Sequence, residues 1–211
     1  MENNHIAHIG TPLKDATYAL VLVHGRGASA EGILTLASHF NLQNTAILAP
    51  QAPSGTWYPQ SFMAPVASNQ PELDHALQKI EQLVGEINAA GIENSRIAFC
   101  GFSQGACLVL EYTTRYAHRY AGIVAFTGGL IGSEIEMANY LGDFAQTPVL
   151  LTTSNPDHHV PLQRVQDTAR IMEDMHAQVT LKAFSGKPHN ITPQEISLAN
   201  QTVFDSLLKQ S

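Results

Sequence analysis

The chain has 211 residues, 44 % of them hydrophobic and 14 % charged, which bounds it to one domain over residues 1–211 with a core of real size. Its formal net charge of -7, from 11 Lys and Arg against 18 Asp and Glu, excludes the basic footprint of a nucleic-acid or anionic-membrane binder. Two cysteines exclude a disulfide framework.

The opening "MENNHIAHIG" lacks a basic n-region and an apolar h-region, so no signal peptide is expected and the protein reads as soluble and cytoplasmic. A short strand around Ile6 to Ile9 is expected to pair antiparallel with the next apolar run. That run, "YALVLVH" from Tyr18 to His24, reads as a strand buried on both faces and is far too short to insert across a membrane. "SAEGILTLASHF" (Ser29 to Phe40) reads as a helix with Ser29 as its N-cap. "TAILA" (Thr45 to Ala49) is a strand, followed by a proline-rich segment without helical period. Gln70 to Ala90 reads as a helix with Leu73, Leu77, Ile80, Leu83, Val84 and Ile87 on one side, and Gly91 ends it.

"RIAFCG" (Arg96 to Gly101) is the next strand and Gln104 to Ala117 the next helix. Ala121 to Gly128 and Pro148 to Ser154 are further strands. Pro161 to Met175 is a helix that opens on proline, where the missing N–H is harmless. Gln178 to Phe184 alternates as an outer strand would, and Pro193 to Leu208 is the closing helix. Such alternation implies an α/β fold, a mostly parallel central sheet with helices on both faces. In sheets of this kind ligands bind beyond the carboxyl ends of the strands. The loops after His24, Ala49, Cys100, Thr127, Ser154 and Phe184 are therefore where chemistry is sought.

The loop after Cys100 carries "GFSQG", a G-x-S-x-G between a strand and a helix. A serine on that sharp turn projects its hydroxyl above the sheet, and flanking glycines let strand and helix approach. Ser103 is the candidate nucleophile, against the plain reading of a tight turn. The N–H of Gln104, at a helix N-terminus, suits a developing oxyanion. A serine nucleophile needs a base and an acid to orient it, in the order Ser, Asp or Glu, His for this architecture. His189 in "FSGKPHNIT" follows the last strand, and Asp157 in "SNPDHHVP" follows the strand before it. Asp157 also reads as an Asx-turn or helix cap, and His158 and His159 compete with His189 as base.

"VLVHGRGAS" after the first long strand resembles a dinucleotide fingerprint, but no Asp or Glu between Gly32 and Pro71 is there to hold a ribose. The better reading is the second half of an oxyanion hole, with the N–H of Arg26 facing that of Gln104. The Arg26 side chain either touches a substrate carbonyl or carboxylate or holds neighbouring loops. His24 reads as a satisfied structural histidine.

Gly32 to Pro71 contains no Lys, Arg, Asp or Glu, and its "SGTWYPQSF" carries Trp57, Tyr58 and Phe62. These are candidates for a substrate-pocket wall, or for a minor core that pins a long loop. Leu130 and Ile131, with Met137 and Tyr140, form a second apolar loop expected to cover an acyl or aromatic group. Cys100 and Cys107 read as packing thiols. His5 and His8 lack companion ligands, so no metal site is expected. Apolar loops around the cleft would suit a homodimer.

Taken in order, "LVHGRGAS", "PQAP" with "TWYP" and "SF", "RIAFCGFSQGAC", "NPDHHVP" and "GKPHNIT" resemble the phospholipase/carboxylesterase family of α/β-hydrolases, kin to acyl-protein thioesterases and dienelactone hydrolases. The resemblance extends from Tyr18 to the final helix. It implies an α/β-hydrolase fold with little or no cap domain, no cofactor, and hydrolysis of small-molecule carboxylic esters or thioesters. Ser103, Asp157 and His189 match the family's triad, and Arg26 and Gln104 its oxyanion donors. The thioesterase branch usually has an apolar residue where Arg26 stands, and the dienelactone branch has cysteine at the position of Ser103. The rivals to an esterase are an amidase or peptidase with the same triad and a non-catalytic ligand-binding protein.

Overall fold

A computed structural model describes residues 5–208 of the chain. The first four residues of the expected leader-free opening, and the last three of the expected domain span, lie outside it. In chain order the elements are β1 (Ile6–Gly10), β2 (Tyr18–Val23), α1 (Ala30–Leu34), β3 (Thr45–Pro50), α2 (Glu72–Ala89), β4 (Ile97–Phe102) and α3 (Gln104–Arg115). There follow β5 (Tyr116–Ala117), β6 (Gly122–Phe126), β7 (Leu141–Gly142), β8 (Pro148–Asn155), α4 (Leu162–Asp174), β9 (Gln178–Ser185), α5 (Pro193–Ala199) and α6 (Asp205–Leu208).

Seven strands form one sheet in the order β1-β3-β2-β4-β6-β8-β9, antiparallel only at β1. Strands β2, β4 and β6 are apolar throughout because both faces are covered, whereas β8 ends in the polar run Thr152 to Asn155. Along β2, Ala19, Val21 and Val23 meet the core under α2, α3 and α4, whereas Tyr18, Leu20 and Leu22 meet the core under α1 and the C-terminal helices. Among the described residues no segment forms a separate cap, and no helix is long and apolar enough to cross a membrane.

Four local expectations are corrected. Strand β1 pairs with β3, from Ile6 opposite Pro50 to Gly10 opposite Ala46, and not with β2. Both edges of β2 are taken by β3 and β4, so the free edge of β3 is the one left. The helix after Ser29 is α-helical only to Leu34 and tightens to a 3₁₀ turn over Thr35–His39. Thr35 and Ser38 hydroxyls donate back to the carbonyls of Gly32 and Thr35, which competes with regular helix. Ser29 does cap it, accepting from the Gly32 N–H at 3.1 Å. Helix α3 stops at Arg115 because Tyr116–Ala117 pair parallel with Leu141–Gly142 as a separate two-stranded ribbon. The closing helix widens to π geometry over Asn200–Phe204 between α5 and α6.

Candidate active site

Strand β4 hands the chain to α3 through Ser103, whose φ of 54° and ψ of -119° are strained for a residue with a Cβ. The strain is held by neighbours. The Ser103 N–H donates to the Phe126 carbonyl at 3.0 Å, and the Ser103 carbonyl accepts from the Cys107 N–H at 3.0 Å. Two glycines permit the close approach. A Cβ on Gly101 would stand 2.5 Å from the Gly105 carbonyl oxygen, and one on Gly105 2.2 Å from that of Val23.

The loops after β8 and β9 bring Asp157 and His189 to this corner. His189 Nε2 lies 2.9 Å from Ser103 Oγ, and His189 Nδ1 lies 2.9 Å from Asp157 Oδ2. This geometry suits a hydroxyl donating to Nε2 and an Nδ1–H donating to the carboxylate. The other oxygen of Asp157 accepts from the N–H groups of His159 and Val160 at 2.8 and 2.9 Å. The Asx-turn and the partnership with His189 are thus both present, one on each oxygen. Burial alone would raise the Asp157 pKa; the His189 hydrogen bond and the two backbone donors outweigh it and hold the carboxyl below its ordinary value. His159 packs edge-on against His189 with centroids 5.1 Å apart, and His189 holds the contact with Ser103.

A polar network behind His189 fixes its loop. Buried Glu195 accepts from the Thr152 hydroxyl at 2.6 Å and from the Thr192 N–H and hydroxyl at 2.9 Å each. Lys187 Nζ lies 3.4 Å from Glu195 and donates to the Asn190 carbonyl at 2.6 Å, while Ser154 Oγ donates to the Lys187 carbonyl. Sequence reasoning missed these residues. Their signal is the capping box "TPQE", Thr192 to Glu195, directly after His189.

On the opposite side, the loop after β2 packs against the serine corner. A Cβ on Gly25 would stand 3.5 Å from that of Ser103. Neither the Arg26 nor the Gln104 backbone N–H is hydrogen-bonded to another described residue. The Arg26 guanidinium donates to three successive carbonyls, those of Tyr58, Pro59 and Gln60, at 2.9, 3.0 and 2.8 Å. The Gln104 side chain also grips this segment, accepting from the Trp57 N–H at 3.1 Å and donating to the Tyr58 carbonyl at 2.8 Å. His24 is fully buried. Its Nδ1 donates to the Gly25 carbonyl and its Nε2 accepts from the Ala52 N–H, an arrangement only the neutral ring can make. Burial lowers its pKa, against the raising effect of the Gly25 hydrogen bond and the Glu31 charge.

Ser103, Gln104 and His189 open into a cleft of about 520 Å³. Arg26, Tyr58 and Phe62 line it, as do Gln60 and Ser61, which the sequence did not single out, and His158, His159 and Val160. Trp57 faces elsewhere. It is buried, its indole N–H donates to the His24 carbonyl at 2.8 Å, and its exposed margin borders a separate groove against α2. The expected place of Leu130 and Ile131 on the pocket wall is likewise corrected, since both are core residues. Buried Glu111 accepts from the Ile131 N–H and the Tyr140 hydroxyl, and Arg164 donates to the carbonyls of Leu130 and Gly132, which pulls that loop inward. Met137 is 53 % exposed and lies outside the cleft lining.

Both thiols are buried. Burial pushes Cys107 up to about 12 and Cys100 higher still, so neither supplies a thiolate at neutral pH. Among the described residues no group of His, Cys, Asp and Glu side chains is disposed to hold a metal ion.

The sequence model of the phospholipase/carboxylesterase family matches residues 4–203. The crystal structure of a phospholipase/carboxylesterase from Dyadobacter fermentans superposes with a TM-score of 0.94 at 52 % identity, covering 95 % of this chain and 96 % of that one. A probable carboxylesterase, SOBER1-like, from Arabidopsis thaliana is 26 % identical over 208 residues, 90 % of this chain and 78 % of that protein. Acyl-protein thioesterase 1 of Schizosaccharomyces pombe is 26 % identical over 208 residues, 91 % of this chain and 88 % of that protein.

Proposed function

The chain belongs to the phospholipase/carboxylesterase family of α/β-hydrolases, and from that membership we propose that this carboxylic ester hydrolase works through Ser103, Asp157 and His189 as one α/β-hydrolase domain. The observation that carries the reading is the continuous hydrogen-bonded line from Ser103 Oγ through His189 to Asp157, at 2.9 Å in each link.

Each group has its task in that scheme. His189 Nε2 takes the Ser103 proton as Oγ attacks the ester carbonyl. The N–H groups of Arg26 and Gln104 receive the oxyanion of the tetrahedral intermediate. His189 then protonates the leaving alcohol or thiol, and the acyl group stays on Ser103. A water molecule enters and gives a proton to His189 Nε2 as its oxygen bonds to the acyl carbon; the bond to Ser103 Oγ then breaks, Oγ takes the proton back from His189, and the acid is released. Asp157 keeps its charge throughout, fixing the ring's tautomer and offsetting the imidazolium. Each oxyanion donor is worth about 3–4 kcal/mol of barrier.

The substrate class we assign is a small ester or thioester with an apolar acyl part. Phe62 and Val160 supply apolar surface to the cleft, and among the described residues no Asp or Glu lines it. A fluorophosphonate probe with intact-mass readout tests the scheme. The wild-type protein gains one adduct, on Ser103, and Ser103→Ala gains none. Labelling of both proteins alike overturns it. Release of p-nitrophenol from an acyl ester, without release of p-nitroaniline from the matching anilide, marks esterase over amidase.

A further inference from the structure

The oxyanion site just described draws its two N–H groups from segments far apart in sequence. One lies on the loop after β2 and the other on the first turn of α3. Their separation has to be held to a fraction of an ångström, because misplacement by about 1 Å costs roughly 10²-fold in rate. The loop after β2 is poorly equipped to hold it alone. Arg26 is exposed and stands between Gly25 and Gly27, and Gly27 has a φ of 76°. Glycine on both sides leaves the backbone locally soft.

What braces that loop is the segment after β3. The Gly27 N–H donates to the Gly55 carbonyl at 2.8 Å, and the Trp57 indole donates to the His24 carbonyl at 2.8 Å. The two side chains of the oxyanion residues then close on the same segment. Arg26 Nη2 and Gln104 Nε2 both donate to the Tyr58 carbonyl, at 2.9 and 2.8 Å. A carbonyl oxygen has two acceptor sites, and here each is taken by one half of the hole.

We propose that the side chains of Arg26 and Gln104 are positioning groups that set the width of the oxyanion hole by closing from either side on one shared acceptor, the Tyr58 carbonyl. The inference rests on the triad and oxyanion reading above and deepens it. The guanidinium fork suits the task, reaching Pro59 and Gln60 as well as Tyr58, which a lysine's single nitrogen cannot do in the same geometry. Gln104 is buried, and its amide has both ends engaged, on Trp57 and on Tyr58, so it has one orientation available. Displacing either side chain leaves the Tyr58 carbonyl held from one side only and lets the two N–H groups drift, although both N–H groups are still present.

Arg26→Met and Gln104→Met keep the backbone donors and remove the clamp. Each is expected to lower kcat by about 10- to 100-fold with KM within a few-fold. Because the two side chains share one acceptor, the double variant loses less than the product of the single losses. A trifluoromethyl ketone, which forms an oxyanion on Ser103, is expected to lose affinity by the same factor as kcat/KM. Binding of the corresponding carboxylic acid product is expected to hold. Arg26→Lys retains the charge and is expected to fold and to recover only part of kcat; it also serves if Arg26→Met fails to fold.

Unchanged ketone affinity in the variants overturns the inference, as does a loss confined to esters that carry a carboxylate, which would make Arg26 a substrate ligand instead. Fluorophosphonate labelling separates the two levels. Wild-type protein that does not label Ser103 sinks the triad reading itself. Variants that label as fast as wild type sink only the clamp.

Discussion

Strand β4 at the centre of the sheet and strand β9 at its edge each deliver one partner of the contact between Ser103 and His189. On β4, the five residues from Ile97 to Gly101 are all buried, and both neighbouring strands are hydrogen-bonded along it. Ser103 is fixed there by sterics: glycines at 101 and 105 allow approaches that any Cβ would block. On β9 no residue is buried, and among the described residues one of its edges is unpaired. His189 is fixed by polar groups behind it, Lys187, Glu195, Thr192 and Thr152, which tie its loop to β8 and α5. The central partner is held by close backbone approach, and the edge partner by hydrogen bonds. One hydrogen-bonded line is thereby held by two kinds of constraint.

The largest effect is expected from Ser103→Gly. Activity is expected to fall by about 10⁴-fold or more. Relief of the positive φ should leave Tm at or above wild type, read by calorimetry beside an ester assay. A lower Tm would show that the corner is not strained.

Next in size is Gly105→Ala. The added methyl meets backbone at 2.2 Å, which α3 can relieve only by moving off β2. A loss of about 1–3 kcal/mol is expected in urea unfolding, with kcat falling alongside as the Gln104 N–H shifts. Wild-type stability would break the claim that sterics rule the centre.

At the edge, Lys187→Met removes a charged partner of buried Glu195 and a donor to Asn190. A loss of about 1.5–3 kcal/mol is expected, with kcat reduced and KM steady as the His189 loop loosens. If stability falls and kcat does not, the network serves the fold alone.

The smallest effect is one of pH, and it separates the two regions by window. His24, on the central side, has a lowered pKa, so the unfolded chain binds its proton more readily than the folded one. Its contribution to stability is complete above about pH 6.5, the ordinary histidine value, and is lost as pH falls through the lower folded value. Asp157, on the edge side, follows the same sign in a window that begins near pH 4, the ordinary carboxyl value. Urea midpoints at pH 7.5 and 5.5 should therefore drop at the lower pH. His24→Gln should flatten that drop, and Asp157→Asn should leave it.

The legible parts of the site were those written locally. "GFSQG" between an apolar run and a helical pattern marks a corner because glycine and serine act on their own backbone and immediate neighbours. The order Ser103, Asp157, His189 can be read because each follows the end of a strand, and parallel strands put those ends together. Leu130 and Ile131 were not legible as core, because their place depends on Glu111 and Arg164, residues on other elements. Trp57 was equally open between pocket and core, and its indole hydrogen bond to His24 decides for the core.

Periodicity and short-range sterics act within a few residues, so the class of fold, the serine corner and the places of Asp157 and His189 after strand ends are legible in the sequence. Only the tertiary structure decided what Arg26 and Gln104 do with their side chains. Their common acceptor, the Tyr58 carbonyl, is 32 residues from one and 46 from the other. Every residue carries a carbonyl, so nothing in the residue type marks this one; it becomes a site only when folding turns it toward both donors at once.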